Sequence, residues 1–284
     1  MSNILILDGA VGTQLEEYGL SLTLPVWSAD ANIKSPDIVT KIHKEYIRMG
    51  SDVITTNTFR STPWTFRKAG YSNFKAQNYA KESFFRAIDC AREASNDQVQ
   101  IAGAITSLED CYQPDQYPGK TAAEDTYGQL LEWFYEGGIK IVLFETMGNV
   151  KELKIALNMA SSSFFSIWVS LIMQNEENIL DGTPLSDIVK LQQFKIVEYL
   201  LTNCNNTDIT IRALKNIRSL WKGKIGAYPN LGIKELENSF HDLIDKSNFR
   251  SDMKAILDVN PNIIGACCGS KPEHINILKT LING

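Results

Sequence analysis

Two adjacent cysteines, Cys267 and Cys268, close the segment Ile263-Ile264-Gly265-Ala266-Cys267-Cys268-Gly269-Ser270, in which an apolar strand pattern runs directly into them. Neighbours in sequence are too close for an ordinary unstrained disulfide, so both thiols look outward to a common third partner. Cys204 likewise ends an apolar run, Tyr199-Leu200-Leu201-Thr202-Asn203-Cys204. Two strand ends that bring three sulfurs together match a thiolate site for Zn²⁺, with the fourth position open to water or substrate. The competing reading makes each cysteine a small buried hydrophobe, the common fate of a free thiol. No histidine or fourth cysteine joins the cluster locally, so spacing leaves both readings open. Cys90 falls in a helical pattern and Cys111 in a loop, and both read as structural.

Sulfurs this far apart in sequence need a scaffold that gathers strand ends. Short apolar runs at 4–7, 52–56, 100–105, 140–145, 167–172, 197–203, 224–228 and 263–267 read as eight strands. Helical patterns alternate with them at 35–49, 77–94, 122–136, 150–160, 185–191, 209–219 and 253–259, the first with Ser35 as cap and Pro36 at its first position. Such alternation implies crossover connections and a parallel sheet, and eight strands predict an α/β fold closed into a (β/α)8 TIM barrel. An open doubly wound sheet is the other fold with this pattern. A chain of 284 residues with 44% apolar content fits one such domain over 1–284. The stretch 111–119, with Pro114 and Pro118, reads as a long loop after the third strand.

Composition narrows the function classes. A net charge of −5 and a pI near 5.4 argue against a nucleic-acid surface as the main role. The first residues lack a basic region, and their apolar run is broken at Asp8, which is not the form of a signal peptide. No apolar run is long enough to cross a membrane. Five cysteines without a regular framework fit a reducing compartment, so a cytoplasmic protein, a monomer acting on small molecules, is the expectation.

In a barrel the site is built at the C-terminal ends of the strands, and here those ends carry groups able to do chemistry. They are Asp8-Gly9, Thr56-Asn57-Thr58, Glu145-Thr146, Asn203-Cys204, Tyr228-Pro229-Asn230 and Cys267-Cys268. Only one strand separates the sixth from the eighth, so Cys204 and Cys267 can reach one ion. Each polar residue also has an ordinary reading. An acid after a strand often caps a helix, and Thr56, Asn57, Thr58, Tyr228 and Asn230 can equally satisfy loop backbone. Trp27 can face a cation through its π surface or simply pack. His274 opens the last helical pattern and reads as structural.

Taken together, these segments resemble the homocysteine S-methyltransferase family along essentially the whole chain. The resemblance is carried by Asp8-Gly9-Ala10-Val11-Gly12-Thr13, Val26-Trp27-Ser28-Ala29, Asp52-Val53-Ile54-Thr55-Thr56-Asn57-Thr58-Phe59 and Phe144-Glu145-Thr146. It continues through Leu180-Asp181-Gly182-Thr183-Pro184-Leu185, Asn203-Cys204, Tyr228-Pro229-Asn230 and Gly265-Ala266-Cys267-Cys268-Gly269-Ser270. It implies a zinc-dependent enzyme in which Cys204, Cys267 and Cys268 are the ligands and Asp8 and Glu145 hold the amino group of homocysteine. It also implies substrate contacts around Gly9, Trp27, Thr56, Asn57, Tyr228 and Asn230. One domain without a cobalamin or folate module implies a small methyl donor, a sulfonium such as S-methylmethionine or S-adenosylmethionine, with betaine as a third candidate. The product would be methionine. Selenocysteine or another thiol is the alternative acceptor, and a zinc- or thiol-binding barrel without turnover is the non-enzyme alternative. The chain departs from the family pattern at Ala266 and Ser270, where a glycine and a threonine are usual, and around Cys204.

Overall fold

The computed structural model describes residues 4–234, 240–241 and 245–284. Its strands are β1 (Leu5–Ile6), β2 (Val53–Thr55), β3 (Gln100–Ile105), β4 (Ile141–Met147), β5 (Ser166–Leu171), β6 (Val197–Asn203), β7 (Lys224–Tyr228), the short antiparallel pair β8 (Ile233–Lys234) and β9 (Phe240–His241), and β10 (Ile263–Ile264). The other eight form one parallel sheet in the order β1-β10-β7-β6-β5-β4-β3-β2. A parallel bridge between Leu7 and Val53, with the Asp8 amide donating to the Val53 carbonyl at 3.0 Å, joins the first and last members. The expected (β/α)8 barrel is therefore the fold.

The connections are α1 (Val11–Glu17), α2 (Ala29–Lys34), α3 (Pro36–Met49), α4 (Pro63–Lys68), α5 (Asn73–Ser95), α6 (Lys120–Glu136), α7 (Val150–Ala160), α8 (Leu185–Ile188), α9 (Thr207–Leu220), α10 (Lys246–Leu257) and α11 (Pro272–Asn283). Caps set several of these starts. Asn206 accepts from the Ile209 amide, and Asp245 accepts from Ser247 and Asn248, which starts α10 seven residues before the apolar pattern at 253 does. The fifth crossover is shorter than its pattern at 185–191 implies. The chain turns extended at Leu191, and a 3-10 turn, Gln192–Ile196, follows. Among the described residues, no helix is long and apolar enough to cross a membrane.

Strand alternation separates two cores. Leu7, Val53, Ala102, Leu143, Trp168 and Leu201 fill the barrel lumen, where the Trp168 and Tyr199 rings lie 4.4 Å apart. The opposite faces pack against the helices through Phe144, Val169, Leu200, Ile225 and Ile264. On β4, Ile141 and Leu143 point into the lumen, so the same period brings Glu145 to its upper rim. Tyr199 and Leu201 do the same for Asn203 on β6.

Candidate active site

Above the lumen, the C-terminal ends of the strands surround a cavity of about 970 Å³ whose wall includes Asp8, Trp27, Glu145, Cys204, Cys267 and Cys268. Cys204 leaves β6 in the left-handed region at φ 54°. The apolar run that predicts a strand through Cys267 pairs only at Ile263–Ile264. Beyond that the ladder gives way, and the Cys267 amide donates to the Pro229 carbonyl at 2.8 Å. The exit turns both cysteines of the pair toward the cavity.

Cys204 Sγ lies 3.9 Å from Cys268 Sγ, which lies 4.0 Å from Cys267 Sγ, and all three sulfurs fall within 4.8 Å of one another. These separations are about twice a disulfide bond length of roughly 2.05 Å and small enough for one metal ion to be shared. Hydrogen bonding to Cys204 and then Cys268, added to burial, pushes the Cys267 thiol well above its usual range. Three sulfurs so close cannot all ionise unless a cation lies among them.

Two carboxyls face the same space. Asp8 accepts from the Thr55 amide at 2.9 Å and from its hydroxyl at 3.2 Å. Burial nevertheless raises its pKa from 3.8 to about 8, against the lowering effect of those bonds. Glu145 rises from 4.5 to about 8, through burial first and then repulsion from Cys204 and Asp8. The Tyr228 hydroxyl stands 3.5 Å from Glu145 Oε2. These acidic groups suit a metal ion and a substrate ammonium.

The other residues singled out from the sequence divide by what holds them. Thr56 and Thr58 share a hydroxyl contact at 2.7 Å, and Thr58 donates to the Ala104 carbonyl at 2.6 Å. Asn57 donates to the Ser28 carbonyl at 3.0 Å and to Asn32 Oδ1 at 2.8 Å. Both Thr56 and Asn57 line the cavity, yet these bonds brace the loop after β2. Gly9 is required by packing, because a Cβ there would stand 2.5 Å from Ser270 Oγ and 2.6 Å from the Tyr46 ring. Trp27 has φ 47°, lies against Gly12 and meets the Phe59 ring edge-on at 5.9 Å. Asn230 lines the cavity, and its amide donates to the Asn205 carbonyl at 2.8 Å. His274 accepts from the Lys271 amide at 2.9 Å at the start of α11, the structural role expected of it. Cys90 donates to the Pro36 carbonyl at 3.3 Å, while Cys111 lines the cavity outside the three-sulfur cluster. Burial pushes the Cys111 thiol to about 12.

Sequence reasoning named Asn203 only as the strand end beside Cys204, with no role of its own, and passed over Arg60. Asn203 has a signal in the period-two pattern of β6, which brings a polar side chain to an inward position. Arg60 is a lone cation beside Phe59 just after the Thr56-Asn57-Thr58 segment, and nothing local separates it from a solvated loop arginine.

A family model for homocysteine S-methyltransferase matches residues 5–282. The homocysteine S-methyltransferase of Escherichia coli K12 is 27% identical over 303 residues, spanning 98% of this chain and 94% of that protein. A selenocysteine Se-methyltransferase of Brassica oleracea var. italica is 22% identical over 307 residues, spanning 96% and 87%. Among solved structures, the metallated form of the homocysteine methyltransferase MmuM from Escherichia coli superposes with a TM-score of 0.84 at 25% identity, covering 98% of this chain and 96% of that one.

Proposed function

Because this chain belongs to the homocysteine S-methyltransferase family of methyltransferases, we propose that Cys204, Cys267 and Cys268 hold Zn²⁺ and that the enzyme moves a methyl group from a small sulfonium donor to homocysteine, giving methionine. The observation that carries this reading is the placement of three cysteine sulfurs and two carboxyls around one cavity. Tetrahedral zinc with Zn–S bonds of about 2.3 Å sets its sulfurs about 3.8 Å apart, which supports the assignment at separations of 3.9 and 4.0 Å. An all-thiolate set also favours zinc over harder ions. When bound, Zn²⁺ supplies the acidity that keeps a substrate thiol in its thiolate form at neutral pH.

The chain's own residues do the rest. Asp8 and Glu145, raised to about 8 by burial, ionise when an ammonium pairs with them, and so fix the amino end of the acceptor. Tyr228 steadies Glu145 from the side. Trp27 and Phe59 offer aromatic surface to a cationic donor, S-methylmethionine or S-adenosylmethionine, with betaine as a third candidate. The acceptor sulfur attacks the methyl carbon in line. Its new S–C bond forms as the donor's S–CH₃ bond breaks, the bonding pair stays with the departing sulfur, and a sulfonium leaves as a neutral thioether. Selenocysteine is the second acceptor to test, since one relative carries that name.

Zinc-loaded protein should form methionine from homocysteine and at least one of the three donors, followed by mass spectrometry. Zinc-loaded, folded protein that binds homocysteine but methylates neither it nor selenocysteine would reduce the chain to a thiol-binding barrel.

A further inference from the structure

The cavity wall holds a cation that the chemistry above leaves unused. Arg60 lines the cavity five residues beyond Thr55, where β2 ends. Its Nη1 donates to the Glu109 backbone carbonyl at 2.9 Å, and its guanidinium carbon lies 5.2 Å from the centre of the Phe59 ring. Its Nε is buried and has no acceptor. Among the described residues no carboxylate pairs with it, although Glu109 is adjacent. The Glu109 carboxylate is committed elsewhere, to the Lys68 ammonium and to the Trp64 indole N–H at 2.9 Å.

A guanidinium clamped through Nη1, stacked on an aromatic face and set in a cavity wall without a carboxylate partner is a receptor for an anion. Its planar fork matches a carboxylate in particular. The wall's other cation, Lys68, is paired with Glu109, and the thiols and carboxyls of the wall favour cations. A ligand that satisfies both regions is therefore a zwitterion with its positive centre toward the sulfurs and its carboxylate toward the loop after β2.

Resting on the reading of the site given above, we propose that Arg60 recognises the carboxylate of the methyl donor and selects donors of the amino-acid type. Homocysteine has a carboxylate too, but its sulfur has to sit at the three cysteines and its ammonium at Asp8 and Glu145. Arg60 is not among the groups felt at Asp8 or Glu145, which answer to burial and to Thr55, Cys204 and Tyr228 instead. Its charge is felt at Cys111, in the loop after β3, where it offsets part of the burial that raises that thiol. The donor enters from this side, with Trp27 and Phe59 beside its cationic centre.

The test uses the zinc-loaded full chain as wild type, Arg60→Gln and Arg60→Lys, with S-methylmethionine and its carboxamide as donors. Losing a charged hydrogen bond in a partly dry site should raise the donor KM of Arg60→Gln about 10- to 100-fold. The homocysteine KM and zinc content should not move. Wild type should prefer the acid over the carboxamide by a similar factor, Arg60→Gln should lose that preference, and Arg60→Lys should keep part of it. A preference that survives in Arg60→Gln overturns the proposal, as does a rise confined to the homocysteine KM. Calorimetric binding of the same two compounds separates this idea from the reaction itself. If wild type fails to turn over yet binds the acid more tightly than the amide through Arg60, the substrate reading fails and the carboxylate site stands. Equal binding of both compounds removes the site.

Discussion

Asn203 and Thr146 grip each other at both ends of their side chains. Asn203 Nδ2 donates to Thr146 Oγ1 at 2.9 Å, and Asn203 Oδ1 accepts from the Thr146 amide at 3.1 Å. The same Oδ1 accepts from Ser170 at 2.7 Å. Thr146 and Cys204 are both in the left-handed region, at φ 57° and 54°, which non-glycine residues seldom adopt without support. One buried amide thus braces the backbone that aims Glu145 and the backbone that aims Cys204.

Asn203→Ala should therefore weaken two things together. Leaving buried partners unsatisfied should cost about 2 to 3 kcal/mol in urea unfolding of the metal-free protein. Loss of the support behind the ligand should reduce zinc affinity by about 10- to 100-fold, read by competition with a chelating dye. A variant that unfolds earlier but binds zinc as tightly as wild type would show that the brace serves the fold alone.

The ligand assignment separates the five cysteines into two groups. Cys204→Ser, Cys267→Ser and Cys268→Ser should each fall well below one zinc per chain by elemental analysis and lose methyl transfer. Cys90→Ser and Cys111→Ser should retain both, because Cys90 packs at the base of α3 and Cys111 stands outside the three-sulfur cluster. Equal zinc content across all five variants would return the sulfurs to the core.

The barrel was legible because each strand is a short apolar run set between helical patterns, and parallel strands buried on both faces leave that signature. The three cysteines were legible for the same reason: Cys204 and Cys267 sit where runs stop. The strand ends were less so. The run at 263–267 is apolar throughout, yet only Ile263–Ile264 pairs, because the following residues leave the ladder to present sulfur. Thr56 and Asn57 look like substrate contacts in the sequence, but bonds to partners 25 to 48 residues away engage them in the loop. The role of Asn203 depends on Thr146, 57 residues earlier, and that of Arg60 on a backbone carbonyl 49 residues later. Local patterns carry no record of such pairings.

Charge removal at the amino end of the acceptor site has a signature of its own. Glu145→Gln and Asp8→Asn should each raise the homocysteine KM about 10-fold or more while zinc content holds. The sharper measurement uses 4-mercaptobutanoate, which has the thiol and the carboxylate but no amino group. Wild type should strongly prefer homocysteine, and Glu145→Gln should narrow that preference. If the preference persists unchanged in both variants, the ammonium is held elsewhere.

His43 gives a prediction about acid stability that does not depend on substrate. It lies on the buried face of α3, fully enclosed, and neither ring nitrogen has a hydrogen-bond partner. Burial alone lowers its pKa from 6.5 to about 4. The folded-state value is therefore below the unfolded one, and between them the unfolded chain binds the extra proton. The contribution is intact above about pH 6.5 and is lost as the pH falls toward 4. Between pH 7.5 and pH 5 this single group should cost about 2 kcal/mol. His43→Leu should remove that loss, and it should be near neutral at pH 7.5, because it replaces two unsatisfied polar atoms with apolar volume. Urea midpoints of metal-free wild type and His43→Leu at the two pH values isolate the effect, since every other titrating group is shared. A gap between the two proteins that stays constant from pH 7.5 to pH 5 would mean that His43 takes up its proton in the fold as readily as in the unfolded chain.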